Sequence, residues 1–343
     1  MGNTASLDEE APDLAGTSPR VSERGFEPKA RTLLGDIEPQ ALGPTMMHEH
    51  VFWDFDPRWR ERSIDFSKQE LEALAAAGAR TILDVAPHPY RIPEWYQVLA
   101  RQVNINIIIS TGFYLEKRNT PEIRDLSERE MVDRFQDELT QRIGTSNLRA
   151  GVIKVASEKK DLTNWEEKVL HAAAYVQRTL GVPICTHAIE GARTQFRELV
   201  EAGADPEKIY LSHTEQESGW EGRSVDEQIE YLLEITRRGG SLFFSNFGWE
   251  FLSQEKNIKR LMLELCEKGY RNRLLIGSDA NYKVDAEGNT WWEEQKNHPE
   301  LPLKNFAYTY TYNIPLLKKW GFSDGDLNTF LVQNPRQLLN WVK

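Results

Sequence analysis

Two cysteines in 343 residues leave almost no capacity for disulfide stabilisation. Cys185 lies in an apolar run and Cys266 in a helical pattern, so both read as buried free thiols of a reducing compartment, and a cytoplasmic location is expected. No apolar run approaches the roughly 20 residues of a membrane span, and the N-terminus lacks the apolar core of a secretory signal. Positive charge is also short: 42 Lys and Arg face 53 Asp and Glu, a net charge of −11. That balance excludes the basic footprint of a nucleic-acid or anionic-membrane binder, and a small molecule is the expected partner.

What is present suits a large globular core, with 40% hydrophobic residues. Residues 1–29 are rich in Gly, Pro, Ser and acid without a sustained period, and are expected to form a flexible N-terminal extension. Their start, MGNTAS, also satisfies the pattern for acylation at Gly2, a match too short to carry an argument. From about residue 45, short apolar runs alternate with helical patterns. The runs TMMH (45–48), TILDVA (81–86), INIIIS (105–110), AGVIKVA (150–156), VPICTH (182–187), KIYLSH (208–213), SLFFS (241–245) and RLLIGSD (273–279) read as eight strands. Helical segments such as SKQELEALAAAGA, WEEKVLHAAAYVQRTLG, VDEQIEYLLEITRRGG and IKRLMLELCEKG follow, several closing on glycine. Eight such pairs with near-continuous apolar strands predict a (β/α)8 TIM barrel of the α/β class, one domain spanning 30–343.

Six residues that suit divalent metals lie at or near the ends of these runs: His48, His50, Lys154, His187, His213 and Asp279. In a barrel, function collects at the C-terminal ends of strands, so residues scattered over more than 200 positions converge on one rim. Strand alternation points His48 and His50 to the same side and Glu49 away from them. Imidazole and carboxylate suit zinc, cobalt, manganese or iron. A single histidine near a strand end is more often structural; His88 is a lesser candidate for pocket lining, and His171 and His298 read as structural or solvated. Lys154, in the apolar run GVIKVA, would be costly as a buried unpaired ammonium.

HEH on the first strand, the lone lysine in AGVIKVASE, THAIEG and YLSHTEQES on the next strands, and GSD on the last resemble the phosphotriesterase family of the amidohydrolase superfamily. RTLLGDIEPQALGPTMMHEH, STGFY, EAGADPEKI and NPRQLL extend the resemblance over essentially everything from residue 31. It implies that His48, His50 and Asp279 hold a buried metal and His187 and His213 a more exposed one. Lys154, carboxylated by carbon dioxide, would bridge them as a carbamate. It also implies a bridging hydroxide as nucleophile, with Asp279 accepting its proton and Lys154 part of the catalytic centre. Zinc is the expected occupant, with cobalt, manganese or iron as alternatives, and a homodimer is the assembly such relatives often form.

The substrate is less legible. Tyr114 in STGFY resembles the tyrosine that the lactonase branch sets beside its ring, which points to a lactone or carboxylic ester. That branch commonly carries an arginine after the seventh strand, where Asn246 and Phe247 stand here, which counts against acyl-homoserine lactones. Asn246, Tyr282 and Trp291 are candidate substrate contacts; Trp291 and Trp292 lie in a long loop after Asp279, and Tyr282 with Lys283 could instead meet the phosphate of a sugar lactone. An organophosphate triesterase and a binding protein that keeps the barrel without catalysis remain alternatives.

Overall fold

The computed structural model describes residues 28–342 apart from 54–55, 189, 217–220 and 293–297. The expected N-terminal extension lies outside the described residues except for Pro28 and Lys29. Lys29 already pairs with the C-terminus, donating to the Val342 carbonyl at 2.7 Å and accepting from its N–H at 2.9 Å.

All eight expected strands form. After a short antiparallel hairpin, β1 (Ala30–Thr32) with β2 (Gly35–Ile37), the barrel strands are β3 (Thr45–Glu49), β4 (Thr81–Asp84), β5 (Asn106–Gly112), β6 (Val152–Ser157), β7 (Ile184–Ala188), β8 (Ile209–Ser212), β9 (Ser241–Phe244) and β10 (Leu274–Ile276). They pair in parallel in chain order. The barrel closes between first and last strands just past β10, where Asp279 N–H donates to the His48 carbonyl (3.1 Å) and His50 N–H to the Ala280 carbonyl (3.0 Å). Helices such as Asn164–Leu180 lie outside; that one opens on a Thr163–Glu166 capping box and stops at Gly181 in the left-handed conformation.

Alternation divides the apolar residues into two clusters. Met47, Leu83, Ile108, Val152, Cys185, Tyr210, Phe243 and Leu275 fill the barrel interior, while Met46, Ile82, Ile107, Ile153, Ile184 and Leu211 pack against the helices. The pleat that sends Val152 and Cys185 inward therefore sends Lys154 and His187 inward one layer higher. β3 departs from strict alternation, because its register against β4 shifts between Met46 and Glu49. Met47 fills the barrel floor, and the adjacent His48 still stacks on the interior ring of Phe243, 5.2 Å between centroids.

The hairpin of β1 and β2 was not expected from the sequence, and two further differences lie beyond the eight strands. The loop after Asp279 carries a second hairpin, β11 (Tyr282–Val284) with β12 (Thr290–Trp292). The first long helix runs Arg60–Ala77, seven residues longer at its start than its apolar pattern predicts.

Glu49 is buried and secures the seam: its carboxylate accepts Ser278 N–H (2.9 Å) and Ala280 N–H (2.6 Å). We expect Glu49→Gln to turn an amide N–H₂ toward one of these donors and to lower the unfolding free energy of the metal-free protein by about 1–3 kcal/mol in denaturant titration. Above β4, His88 continues the pairing toward β5, donating to the Gly112 carbonyl (3.2 Å) and accepting Tyr114 N–H (3.2 Å). Burial first, and then Arg134 and Arg91, push the His88 imidazole down to about 4. The folded state thus binds fewer protons than the unfolded chain between pH 6.5 and 4, so this contribution is present above pH 6.5 and lost as pH falls toward 4. His88→Asn should therefore show a shallower acid limb than wild type in melting temperature against pH over that window.

Candidate metal centre and cavity

Five of the six residues read from the sequence surround one point at the barrel's C-terminal rim, and Lys154 reaches it from below. Asp279 Oδ1 lies 3.2 Å from His50 Nε2 and 3.5 Å from His48 Nε2, and Asp279 Oδ2 lies 3.8 Å from His213 Nδ1. Donor atoms of His48, His213 and Asp279 all fall within 4.8 Å of one another. His187 joins through His213, their ring centroids 4.7 Å apart. Lys154 Nζ is 3.3 Å from His48 Nε2 and also donates to Cys185 Sγ and the Thr186 carbonyl, each at 3.4 Å.

Backbone conformation helps to aim these side chains. Among the described residues, only His213 (φ 68°) and Asp279 (φ 54°) adopt positive φ without being glycine. His213 follows the inward-facing Ser212, and the left-handed turn brings its ring back over the barrel mouth instead of letting it alternate outward. Gly112 is needed for the opposite reason. With φ at 104°, a Cβ there would sit 1.9 Å from the carbonyl oxygen of Lys154. Behind the ring of donors, His48 Nδ1 is 2.7 Å from Ser212 Oγ, a contact that leaves Nε2 facing the cluster.

Burial sets the protonation states. The imidazole of His48 is pushed well below its ordinary value by burial and then by Lys154. His187 falls likewise, through burial and then His213, and His213 falls to about 4, chiefly through burial. Their ring nitrogens are neutral near pH 7 and can offer lone pairs. Burial also lowers Lys154, favouring its neutral amine. For Asp279, burial opposes ionisation, but His48, His213 and His50 outweigh it and hold the carboxyl well below the usual range.

Above the cluster opens a cavity of about 350 Å³. Tyr114 lines it, with its hydroxyl 3.3 Å from His187 Nε2. The other three substrate candidates do not line it, each for a physical reason. Tyr282, the first residue of β11, is fully buried, its hydroxyl bonded to Ser67 Oγ (2.8 Å) and the Ser63 carbonyl (3.0 Å). Asn246 is buried in turn chemistry: its N–H donates to Glu215 Oε1 (3.0 Å) and its amide to Gln216 Oε1 (3.3 Å). In the β11–β12 ladder, Trp291 pairs with Lys283, and it is the adjacent Trp292 that reaches the cavity. His88 is not among the lining residues either.

Sequence reasoning missed the main wall. Trp53 lies 4.6 Å from His50, stacks on Tyr90 at 4.2 Å and meets Tyr114 edge-on at 5.2 Å. Its place three residues after His50 was the one available signal. Trp249 and Lys304 from later loops also line the cavity, Lys304 Nζ sitting 3.6 Å over the Trp249 ring. Among the described residues, no helix is long and apolar enough to cross a membrane.

Comparisons with known proteins agree with this architecture. A phosphotriesterase homology protein of Mycobacterium tuberculosis is 29% identical over 91% of this chain and 97% of its own length. The human N-acetyltaurine hydrolase is 26% identical over 91% of this chain and 98% of its own. The solved organophosphorus hydrolase of Deinococcus radiodurans superposes with a TM-score of 0.78 at 26% identity, covering 92% of this chain and 99% of that one. The sequence profile of the phosphotriesterase family matches residues 28–339, and the chain therefore belongs to that family.

Proposed function

We propose that this hydrolase holds two divalent metal ions and opens a lactone or a related carboxylic ester. The observation that carries the reading is the convergence of neutral imidazoles on one ionised carboxylate, with the donors of His48, His213 and Asp279 within 4.8 Å of one another. Such a set fits borderline-to-hard cations, with zinc as first choice and cobalt, manganese or iron as alternatives.

His48, His50 and Asp279 would hold one ion, His187 and His213 the other, and Lys154 would join them as a carbamate. A neutral amine is the form that adds to carbon dioxide, releasing one proton and gaining a carboxylate, and burial favours that form of Lys154. Bound there, the ions would lower the pKa of a water at the site and polarise the substrate oxygen. Asp279, already ionised, would be placed to accept the proton released by that water. Tyr114 reaches the edge of the donor cluster with a hydroxyl able to orient the acyl group, which favours a compact ring or ester in the cavity.

A second reading is amide hydrolysis. It is supported by likeness to the N-acetyltaurine hydrolase over nearly the whole chain, and the same centre could attack an N-acyl carbonyl. A third, phosphotriester cleavage, follows from likeness to the organophosphorus hydrolase. Specificity constants for a lactone panel, an N-acyl amine panel and an aryl dialkyl phosphate will rank the three. Lactones should lead, and an enzyme that cleaves N-acyl amines while leaving every lactone intact would replace the first reading with the second.

Metal analysis of the loaded protein should find about two ions per chain. Lys154→Ala should lose at least one ion and about 100-fold or more in kcat/KM, a loss on the scale of metal-derived stabilisation. Retention of both ions and of activity in that variant would remove Lys154 from the centre. Chelation should lower the melting temperature, because the ions bind only the folded donor set.

A further inference from the structure

We infer that Ser212 is a positioning residue for the ion held by His48, His50 and Asp279: its hydroxyl accepts the Nδ1 proton of His48 and so commits the Nε2 lone pair to the metal. This rests on the two-metal reading above and adds to it the group that orients the most deeply buried donor.

A neutral imidazole carries one proton, and only the nitrogen without it can bind a metal. Nε2 of His48 is the nitrogen that faces the donor cluster, with Lys154 Nζ at 3.3 Å and Asp279 Oδ1 at 3.5 Å. When Nε2 binds an ion, the proton of the ring is on Nδ1, in a part of the barrel closed to solvent, where an unmet donor is costly. Ser212 Oγ lies 2.7 Å from that nitrogen, the length of a strong hydrogen bond. Cys185 Sγ is 3.8 Å from it, a poorer acceptor at a greater distance, so the hydroxyl has no good substitute in this layer.

A hydroxyl that accepts from His48 must send its own proton elsewhere, and the barrel interior provides for it. Ser212 and Cys185 are both fully buried, and Cys185 Sγ lies 3.7 Å from Ser212 Oγ. The same sulfur accepts from Lys154 Nζ at 3.4 Å, and the thiol's proton has the Thr186 carbonyl at 3.6 Å. Tyr210, also in this interior layer, donates to the Met47 carbonyl (3.0 Å) and so leaves the sulfur to the other two donors. The protons therefore run from His48 to Ser212 and from Ser212 to Cys185, where the bond from Lys154 ends as well. Two residues assigned to the metal centre are thus tied from behind through one hydroxyl and one thiol. Ser212 also precedes His213, a donor to the other ion, but that link is through the backbone, which a side-chain truncation leaves in place.

The test is zinc binding to the full chain, measured by competition with a chromophoric chelator, for wild type, Ser212→Ala and Ser212→Thr. In Ser212→Ala we expect the dissociation constant of one ion to rise about 10- to 100-fold, the scale on which groups behind a metal-bound histidine act, and that of the other to stay within about threefold. Ser212→Thr keeps the hydroxyl and should return the weakened ion to within about threefold of wild type. A role in packing alone would not produce that recovery. In the zinc-loaded wild type, nitrogen-15 NMR of labelled histidine should place the His48 proton on Nδ1 with the low-field shift of a bonded proton, and Ser212→Ala should move it upfield. Zinc affinities in Ser212→Ala within threefold of wild type for both ions, or a loaded His48 with its proton on Nε2, overturn the inference while leaving the two-metal reading intact. Should both variants fail to fold, the position of the proton in the loaded wild type decides alone. A wild-type chain that binds no zinc, cobalt or manganese overturns the two-metal reading and the inference with it.

Discussion

Backbone N–H groups that leave a barrel sheet at its rim lose their ladder partners, and here three buried carboxylates take them up. Asp84 accepts Val51 N–H (2.6 Å) and Ala86 N–H (2.7 Å), Glu215 accepts Ser245 N–H (2.7 Å) and Asn246 N–H (3.0 Å), and Glu49 accepts Ser278 and Ala280. Each reaches from its own strand's exit to the exit of a neighbouring strand. Burial raises all three acids, Glu49 to about 8, so ionising them comes at a cost and near pH 7 Glu49 favours the protonated acid. What offsets that cost is the satisfaction of two or more buried donors at once. The metal candidates inherit their positions from this scaffold: His50 precedes the donors held by Asp84, and Asp279 lies between the two held by Glu49.

The same scaffold explains why His213 and Asp279 tolerate a left-handed backbone. Positive φ at a non-glycine residue costs on the order of 1–3 kcal/mol, and it persists only where the surroundings fix it. Asp279 is fixed on both sides, its own N–H bonded to His48 and its neighbours' to Glu49. His213 lies directly after Ser212, whose hydroxyl contacts His48. Strain, hydrogen bonding and the donor cluster thus meet on the same few residues.

The cluster of donor residues was legible in the sequence and the cavity wall was not. Parallel strands buried on both faces write continuous apolar runs, and a lysine or histidine interrupting such a run is conspicuous, which is how Lys154, His187 and the others were found. Loop residues carry no period. Tyr282 and Asn246 looked like cavity residues by their distance from Asp279 and β9, but the hydroxyl acceptors on the helix Arg60–Ala77 and the carboxylate of Glu215 claimed them. Trp53, Trp249 and Lys304 became wall residues through packing between loops far apart in the chain, which no local pattern encodes. Even the reading of His48 and His50 as simple alternation omitted the register shift in β3 that lets Met47 and His48 both face inward.

The seam where the barrel closes has a topological consequence. Glu49 and Ser278 are 229 positions apart, and between them runs nearly the entire chain of strands and helices. An ion shared by His50 and Asp279 would span the same gap, acting as a clasp on a ring whose two ends are the first and last strands. In an unfolded chain those ends wander freely, so fastening them removes more conformational freedom than any clasp between adjacent strands. Loading such a centre would couple closure of the barrel to completion of the place where a substrate binds.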